Sequence, residues 1–262
     1  MSKGHLAGRR AVVTGASSGI GAALARRLAA EGADVVLVAR REERLRALAE
    51  ELVRQHRVAV EVKACDLARP DAREALFAEV NAGGAVDVLV NNAGFGVHGA
   101  FLSIPWERER ELLEVDVAAL VHLTKLFGQA MTRRGFGRIL QVSSIGAFQP
   151  TPTYAVYGAA KAFVQNFGEA IDHEMKGSGV RCTVLAPGVT TTEFHQVAGQ
   201  KPNFFLTNTA MAAEAVADIA VRGLLSGRRS VVPGIMNTLT SWFVRLLPRR
   251  QAVSMAARLM AE

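Results

Sequence analysis

The sequence predicts an α/β protein: one doubly wound, mostly parallel seven-stranded sheet with helices on both faces, in a single domain. Three observations carry this. Short apolar runs alternate along the chain with longer segments of helical apolar spacing, the pattern of parallel strands joined by right-handed crossovers. Strand runs such as Asp34-Val-Val-Leu-Val-Ala39 are continuously apolar, as expected of strands covered on both faces. No repeat, low-complexity tract, Pro/Gly/Ser-rich linker or composition break divides the 262 residues, half of which are hydrophobic.

Strands are expected at 10–14, 34–39, 58–64, 86–90, 138–142, 180–185 and 229–232, and helices near 20–31, 41–55, 70–81, 108–133, 153–177 and 210–226. The first strand, Arg10-Ala-Val-Val13, runs into Thr14-Gly-Ala-Ser-Ser-Gly-Ile-Gly21, after which Ile20, Leu24 and Leu28 recur at helical spacing. Glycines let a strand-to-helix turn close tightly and approach a pyrophosphate, and the helix N-terminus offers free N–H groups. A plain glycine-rich turn is the bland alternative; the strand–turn–helix context favours cofactor binding. The fourth strand, Val86 to Val90, ends in Asn91-Asn92-Ala93-Gly94, small and amide residues at a strand end where open α/β sheets bind ligands. The fifth ends in Ser143-Ser144, with Ser144 thirteen residues before Tyr157, close enough for the intervening loop to return to the same crevice. Its hydroxyl can donate to a substrate oxygen.

Tyr157-Gly-Ala-Ala-Lys161 puts a phenol and an ammonium four residues apart, on one face of a helix. A free phenol has a pKa of about 10. A fixed cation beside it favours the phenolate and makes it a usable acid/base. Alone, this spacing is as well explained by two surface residues. Of the two tyrosines, Tyr154 and Tyr157, only Tyr157 has a lysine at i+4.

Together these residues resemble the short-chain dehydrogenase/reductase family in its compact, Rossmann-like single-domain form, from about Gly8 to Val232. The matching positions are Thr14-Gly15-x-x-x-Gly19-x-Gly21, Asp66, Asn91-Asn92-Ala93-Gly94, Ser144, Tyr157-x-x-x-Lys161 and Pro187-Gly188. The resemblance implies Tyr157 as general acid/base, Ser144 orienting the substrate oxygen, and Lys161 holding the nicotinamide ribose and lowering the tyrosine pKa. It extends the cofactor set to Ser17, Ser18, Ile20, Leu67, Thr190 and Thr192, with Thr192 near the nicotinamide amide and diphosphate, and makes 187–212 a substrate lid. One position departs: where the family has an asparagine supporting a proton relay, this chain has Asp116. Asparagine donates and accepts; ionised aspartate only accepts. Three readings stay open: a relay through the backbone carbonyl, which is preferred, a carboxylate acting on the Tyr157–Lys161 pair, or a structural helix residue.

Cofactor preference follows from the end of the second strand. NAD sites place an acid there for the ribose 2′-hydroxyl, whereas NADP sites accommodate the 2′-phosphate with arginine. This chain reads Val38-Ala39-Arg40-Arg41, with no acid at Ala39, and Arg40 can grip a phosphate bidentately. NADP(H) is therefore expected over NAD(H). The alternative is that Arg40, Arg41 and Arg44 only begin a solvated helix.

The net charge of +7 suits several anionic partners and selects none. No aromatics interleave the arginines as on a nucleic-acid platform, so nucleic acid is not expected. Cys65 and Cys182 lie in apolar runs and read as buried thiols, with neither a disulfide framework nor a metal site. The start has no long apolar region and no run reaches the roughly 20 residues of a membrane span, so a cytoplasmic protein is expected. The apolar and basic tail, 235–262, is read first as a helix packed on the body or on a second subunit, and second as lying on a membrane surface or over a lipid-like channel. Phe95, Phe148, Phe194, Phe204 and Phe205 near the active-site strands suggest an apolar pocket for a lipophilic carbonyl or alcohol. The partners expected are that substrate and further copies of the chain. The function expected is an NADP(H)-dependent oxidoreductase. Its competitor is a catalytically weak cofactor-binding protein serving regulation or scaffolding, suggested by Asp116.

Overall fold

A computed structural model describes residues 4–201 and 209–260. Phe204 and Phe205 therefore lie outside the described residues. The predicted sheet is present, with seven strands in the order β3-β2-β1-β4-β5-β6-β9, every neighbouring pair parallel. The strands are β1 (Arg10–Thr14), β2 (Asp34–Ala39), β3 (Val60–Ala64), β4 (Val88–Asn91), β5 (Gly137–Val142), β6 (Val180–Leu185) and β9 (Ser230–Val231). A separate short pair joins β7 (Thr190–Thr191) to β8 (Met211–Ala212).

The apolar runs of β1 and β2 serve two cores at once. Ala11, Val13, Val35 and Leu37 point to one face, against Leu24 and Leu28 of α1 (Gly19–Ala30), Leu45 and Leu52 of α2 (Glu42–His56) and Val216 and Leu224 of α8 (Ala213–Leu225). Val12 and Val36 point to the other, against Leu76 and Val80 of α3 (Pro70–Ala82) and Leu123 and Phe127 of α5 (Leu120–Arg134). This is the strand period of two, with both faces covered. Burying each of these valine, leucine and phenylalanine side chains stabilises the fold by about 1.5–3 kcal/mol.

The helix expected at 108–133 is interrupted. α4 (Trp106–Leu113) passes through one π-helical turn, Glu114–Ala119, before α5 begins. A π turn inserts a residue into the i→i−4 ladder and re-aims the side chains around it. α6 (Ala155–Glu174) carries Tyr157 and Lys161. α7 (Phe194–Ala198), the β7–β8 pair and the 3-10 turns Phe101–Ser103 and Ile145–Phe148 are too short for periodicity to reveal. The tail forms α9 (Ile235–Leu246) and α10 (Arg249–Met260). The strand order reverses between β1 and β4, and ligands bind beyond the carboxyl ends of the strands at such a point.

Candidate active site

The loops after β1, β2, β4, β5 and β6 surround one cleft of ≈ 430 Å³. Of the residues singled out in the sequence, Gly15, Ser17, Ser18, Gly19, Ile20, Gly21, Arg40, Asp66, Leu67, Asn92, Ala93, Gly94, Ser144, Tyr157, Lys161, Pro187, Gly188, Thr190 and Thr192 all line it. Asp116 does not; it lies behind the wall, fully buried.

The glycine turn is braced from beneath. Thr14 Oγ1 accepts from the N–H groups of Asn92 and Ala93, both at 3.0 Å, and donates to the Val90 carbonyl at 3.1 Å. The Asn92 amide donates to the Thr14 carbonyl at 3.0 Å. Gly15 has φ +66°, and a Cβ there would stand 2.7 Å from the Asn92 amide nitrogen. Both the left-handed backbone and the close approach require glycine. Asn91 is structural: its amide donates to Thr124 Oγ1 and Gln141 Oε1 inside the core.

Ser144 caps the 3-10 turn that follows β5, its Oγ accepting from Gly146 N at 3.1 Å. That bond fixes the oxygen and leaves the hydroxyl proton available to the cleft. The next residue back anchors α6, with Ser143 Oγ donating to the Lys161 carbonyl at 2.8 Å. Lys161 Nζ donates to the Val142 carbonyl at 3.1 Å and stands 2.9 Å from Asp116 Oδ2. The two form a buried ion pair. Asp116 Oδ1 accepts from Phe95 N at 3.1 Å. A Cβ on residue 94 would fall 2.6 Å from Asp116 Oδ2, so Gly94 is what lets this carboxylate sit under the β4 loop. The Asp116 carboxylate is thus in direct contact with Lys161.

The electrostatics of this trio compete. Burial alone would lower Lys161, but the Asp116 carboxylate and the Tyr157 phenol outweigh it, and the ammonium is held above its ordinary range. Burial pushes the Asp116 carboxyl up, against the pull of Lys161. Burial also pushes Tyr157 up. Lys161 and the neighbouring Ser144 hydroxyl pull it down, Asp116 pushes it further up, and the net direction is upward. Lys161 thus acts on Tyr157 in the expected sense, but with its charge shared with Asp116.

The arginines divide differently from the expectation at Arg40. Arg40 turns to Glu111 at 2.9 Å, while Arg41 donates to Ser17 Oγ at 3.1 and 3.0 Å and to Ser18 Oγ at 2.7 Å, across the glycine turn. Arg41 and Arg44 also grip Glu193, at 2.8 and 2.7 Å, and hold its carboxyl below the usual range. Neither Arg41 nor Glu193 is among the site residues expected from the sequence. Nothing local marks either: the contact joins residues 152 positions apart.

Phe194 closes the wall over Tyr154 and Tyr157, its ring centroid 5.2 Å from that of Tyr157. Phe95 also lines the cleft. Phe148 does not; it lies under the Arg245 guanidinium at 5.4 Å. Tyr154 donates to Gln200 Oε1 at 2.8 Å, and His195 Nδ1 meets the same oxygen at 2.9 Å, a cluster with no local signal in the sequence. No metal-binding cluster occurs among the described residues.

Comparison with known proteins identifies the family. The family model for short chain dehydrogenase matches residues 9–203. Sulfoacetaldehyde reductase from Chromohalobacter salexigens is 37% identical over 214 residues, 79% of this chain and 84% of its own. A short-chain dehydrogenase from Sphingobium yanoikuyae solved in complex with NADPH superposes with TM-score 0.82 and 31% identity, covering 91% of this chain and 94% of that one. A structure described for 7beta-hydroxysteroid dehydrogenase stereoselectivity superposes with TM-score 0.88 and 26% identity over 98% of this chain and 100% of that one. With the matched model spanning most of the chain and the cleft built as described, the protein belongs to the short-chain dehydrogenase/reductase family and is an NAD(P)-dependent oxidoreductase acting between C=O and CH–OH.

Proposed function

We propose that the protein interconverts a lipophilic ketone or aldehyde and its alcohol with NADP(H), with Tyr157 transferring the proton. The observation that carries this is that Ser144, Tyr157 and Lys161 line one cleft together with Phe95, Tyr154 and Phe194.

The cleft suits a nicotinamide dinucleotide. α1 begins without a side-chain cap and without an acid in its first turn, which leaves its N–H groups for a phosphate. The turn Gly15 to Gly21 would hold the pyrophosphate, with Asp66, Leu67, Asn92, Pro187, Gly188, Thr190 and Thr192 along the remaining walls. Arg41, with Arg40 beside it, would take the 2′-phosphate, in keeping with the NADPH bound by the Sphingobium relative. When bound, the nicotinamide supplies or accepts the hydride.

The chain's own groups supply the rest. Ser144 donates to the substrate oxygen and fixes its position. Tyr157 gives its hydroxyl proton to that oxygen in reduction and takes it back in oxidation. The Lys161 ammonium stabilises the phenolate left behind, and Asp116 keeps the ammonium charged and placed. Phe194 and residues 187–201 and 209–212 act as the lid that excludes water. The apolar wall favours a lipophilic substrate, the class named for the hydroxysteroid dehydrogenase neighbour, over a small anionic aldehyde like that of the Chromohalobacter relative. The setting that goes with this reading is a cytoplasmic homo-oligomer.

A panel of carbonyl compounds assayed with NADPH and NADH by loss of nicotinamide absorbance tests it. Turnover of bulky apolar ketones with NADPH is expected. Cofactor binding without turnover across the panel would favour the regulatory or scaffold reading. Faster turnover of small charged aldehydes would overturn the substrate class.

A further inference from the structure

Helix α9 is amphipathic the wrong way round for a helix that only packs on its own protein. Ile235, Met236, Leu239, Trp242, Phe243 and Leu246 fall at i, i+1, i+4, i+7, i+8 and i+11, one continuous stripe, and are 55–83% exposed. The side turned inward is mostly polar. Thr238 Oγ1 donates to the Val232 carbonyl at 3.2 Å and the Gly234 carbonyl at 3.0 Å, Ser241 Oγ to the Thr238 carbonyl at 2.8 Å, and Asn237 to the Pro233 carbonyl at 2.8 Å, with only Val244 buried among the apolar residues of the helix. The apolar stripe of α9 is therefore not covered by the body, although Ser241 and Val244 on its other side are buried. Exposed apolar stripes of this size mark an interaction surface.

Charge selects the occupant. From residue 235 to 260 the chain carries Arg245, Arg249, Arg250 and Arg258 and no acidic residue. Arg245 flanks the stripe, its guanidinium 5.2 Å from the Trp242 ring centroid. A second copy seated on the same face would bring the same four arginines and no acidic residue from this segment. An anionic bilayer surface matches them, and a tryptophan and phenylalanine on the apolar side suit the boundary between headgroups and acyl chains. No described helix is long and apolar enough to cross a membrane, so the contact lies in the plane of the surface.

We propose that α9 seats its apolar stripe in the interface of an anionic lipid bilayer, with Arg245, Arg249 and Arg250 on the headgroups. The helix adjoins the active-site loops: a Cβ on Gly188 would stand 2.5 Å from the Asn237 amide, and Arg245 covers Phe148 in the turn after Ser144. Seating α9 brings this side of the cleft close to the bilayer, where a lipophilic substrate concentrates. The membrane contact itself stands apart from the substrate reading.

Flotation of the full chain with vesicles of phosphatidylcholine alone, or with phosphatidylglycerol added, tests the proposal. Wild type should float with the anionic vesicles at low ionic strength, much less with the neutral ones, and be released as salt screens the headgroups. Trp242→Asp with Leu246→Asp should cut the bound fraction about tenfold or more. Arg249→Glu with Arg250→Glu should abolish the preference for anionic vesicles. Both pairs alter exposed side chains, and unchanged melting temperatures would show them folded. Absence of wild-type binding to anionic vesicles, or equal binding by folded Trp242→Asp/Leu246→Asp, overturns the proposal. So does an oligomer that the same double substitution dissociates while vesicles bind neither form, which would assign the stripe to a second copy.

Discussion

Two charged clusters bracket the cleft, and they differ chiefly in their access to water. Lys161 and Asp116 meet at 2.9 Å with side-chain exposures of 6% and 0%, whereas Arg41 and Glu193 meet at 2.8 Å with exposures of 45% and 40%. Nearly equal distances thus have unequal consequences. The buried pair cannot trade its partner for water, so breaking it strands a charge, and its field reaches Tyr157 with little screening. The exposed cluster can trade Glu193 for solvent or for an arriving phosphate at small cost. One pair is fixed by burial; the other is an exposed contact that can exchange its partner.

The sharpest way to break this contrast is to remove one buried partner. Asp116→Ala should destabilise the fold by about 3–5 kcal/mol in urea denaturation, and Asp116→Leu with Lys161→Met should recover much of that. A loss no larger than that of a surface pair would mean water reaches the site. Next in size, Tyr157→Phe keeps the ring and removes the transferable proton. It should lower kcat by a factor of order 10² or more, with cofactor affinity nearly unchanged. Near-normal turnover would remove Tyr157 from the proton step.

On the exposed side, Arg41→Ala should weaken NADPH binding by about tenfold or more and leave NADH binding nearly unchanged, and Arg40→Ala should do less, because Arg40 is turned toward Glu111. Titration with both cofactors decides. Equal losses for NADPH and NADH would make these arginines structural, and a larger effect at Arg40 would reverse their assignment.

Asp116→Asn sharpens the comparison without emptying the site. The carboxylate pushes Tyr157 up and Lys161 up, so removing its charge lowers both. Reduction needs the protonated phenol and falls as pH rises through the Tyr157 titration. The alkaline limb of the pH–rate profile should therefore move to lower pH, as a property of the coupled site. An unmoved limb would return Asp116 to the backbone-relay reading. The smallest effect is expected for Glu193→Gln: an unchanged melting temperature and modestly tighter NADPH binding, since the substitution frees Arg41 and Arg44. A marked drop in melting temperature would show the exposed cluster to be structural.

Much of this is legible in the sequence. The glycine turn, Asn92 to Gly94, Ser144, Tyr157 and Lys161 stand out because each depends on a few neighbouring residues and a known backbone period, and the strands that lead into the loops are mostly apolar. Asp116 was visible as a departure, but its environment was not: an unbroken helix was expected at 108–133, and the π turn that carries Asp116 has no apolar signature of its own. Arg40 and Arg41 are adjacent and chemically identical, so no local rule could say which one reaches Ser17 and Ser18.

The sequence by itself determined the α/β sheet, the order of its strands and helices, and the residues that end up around one cleft, because strand and helix periods and turn chemistry are written within a few residues of chain. Only the tertiary structure decided that Lys161 faces the Asp116 carboxylate, that Glu193 bridges Arg41 and Arg44 from across the cleft, and that the apolar stripe of α9 looks outward. Those outcomes depend on distances between segments remote in sequence and on which surface remains after the core has packed, and no local pattern encodes either.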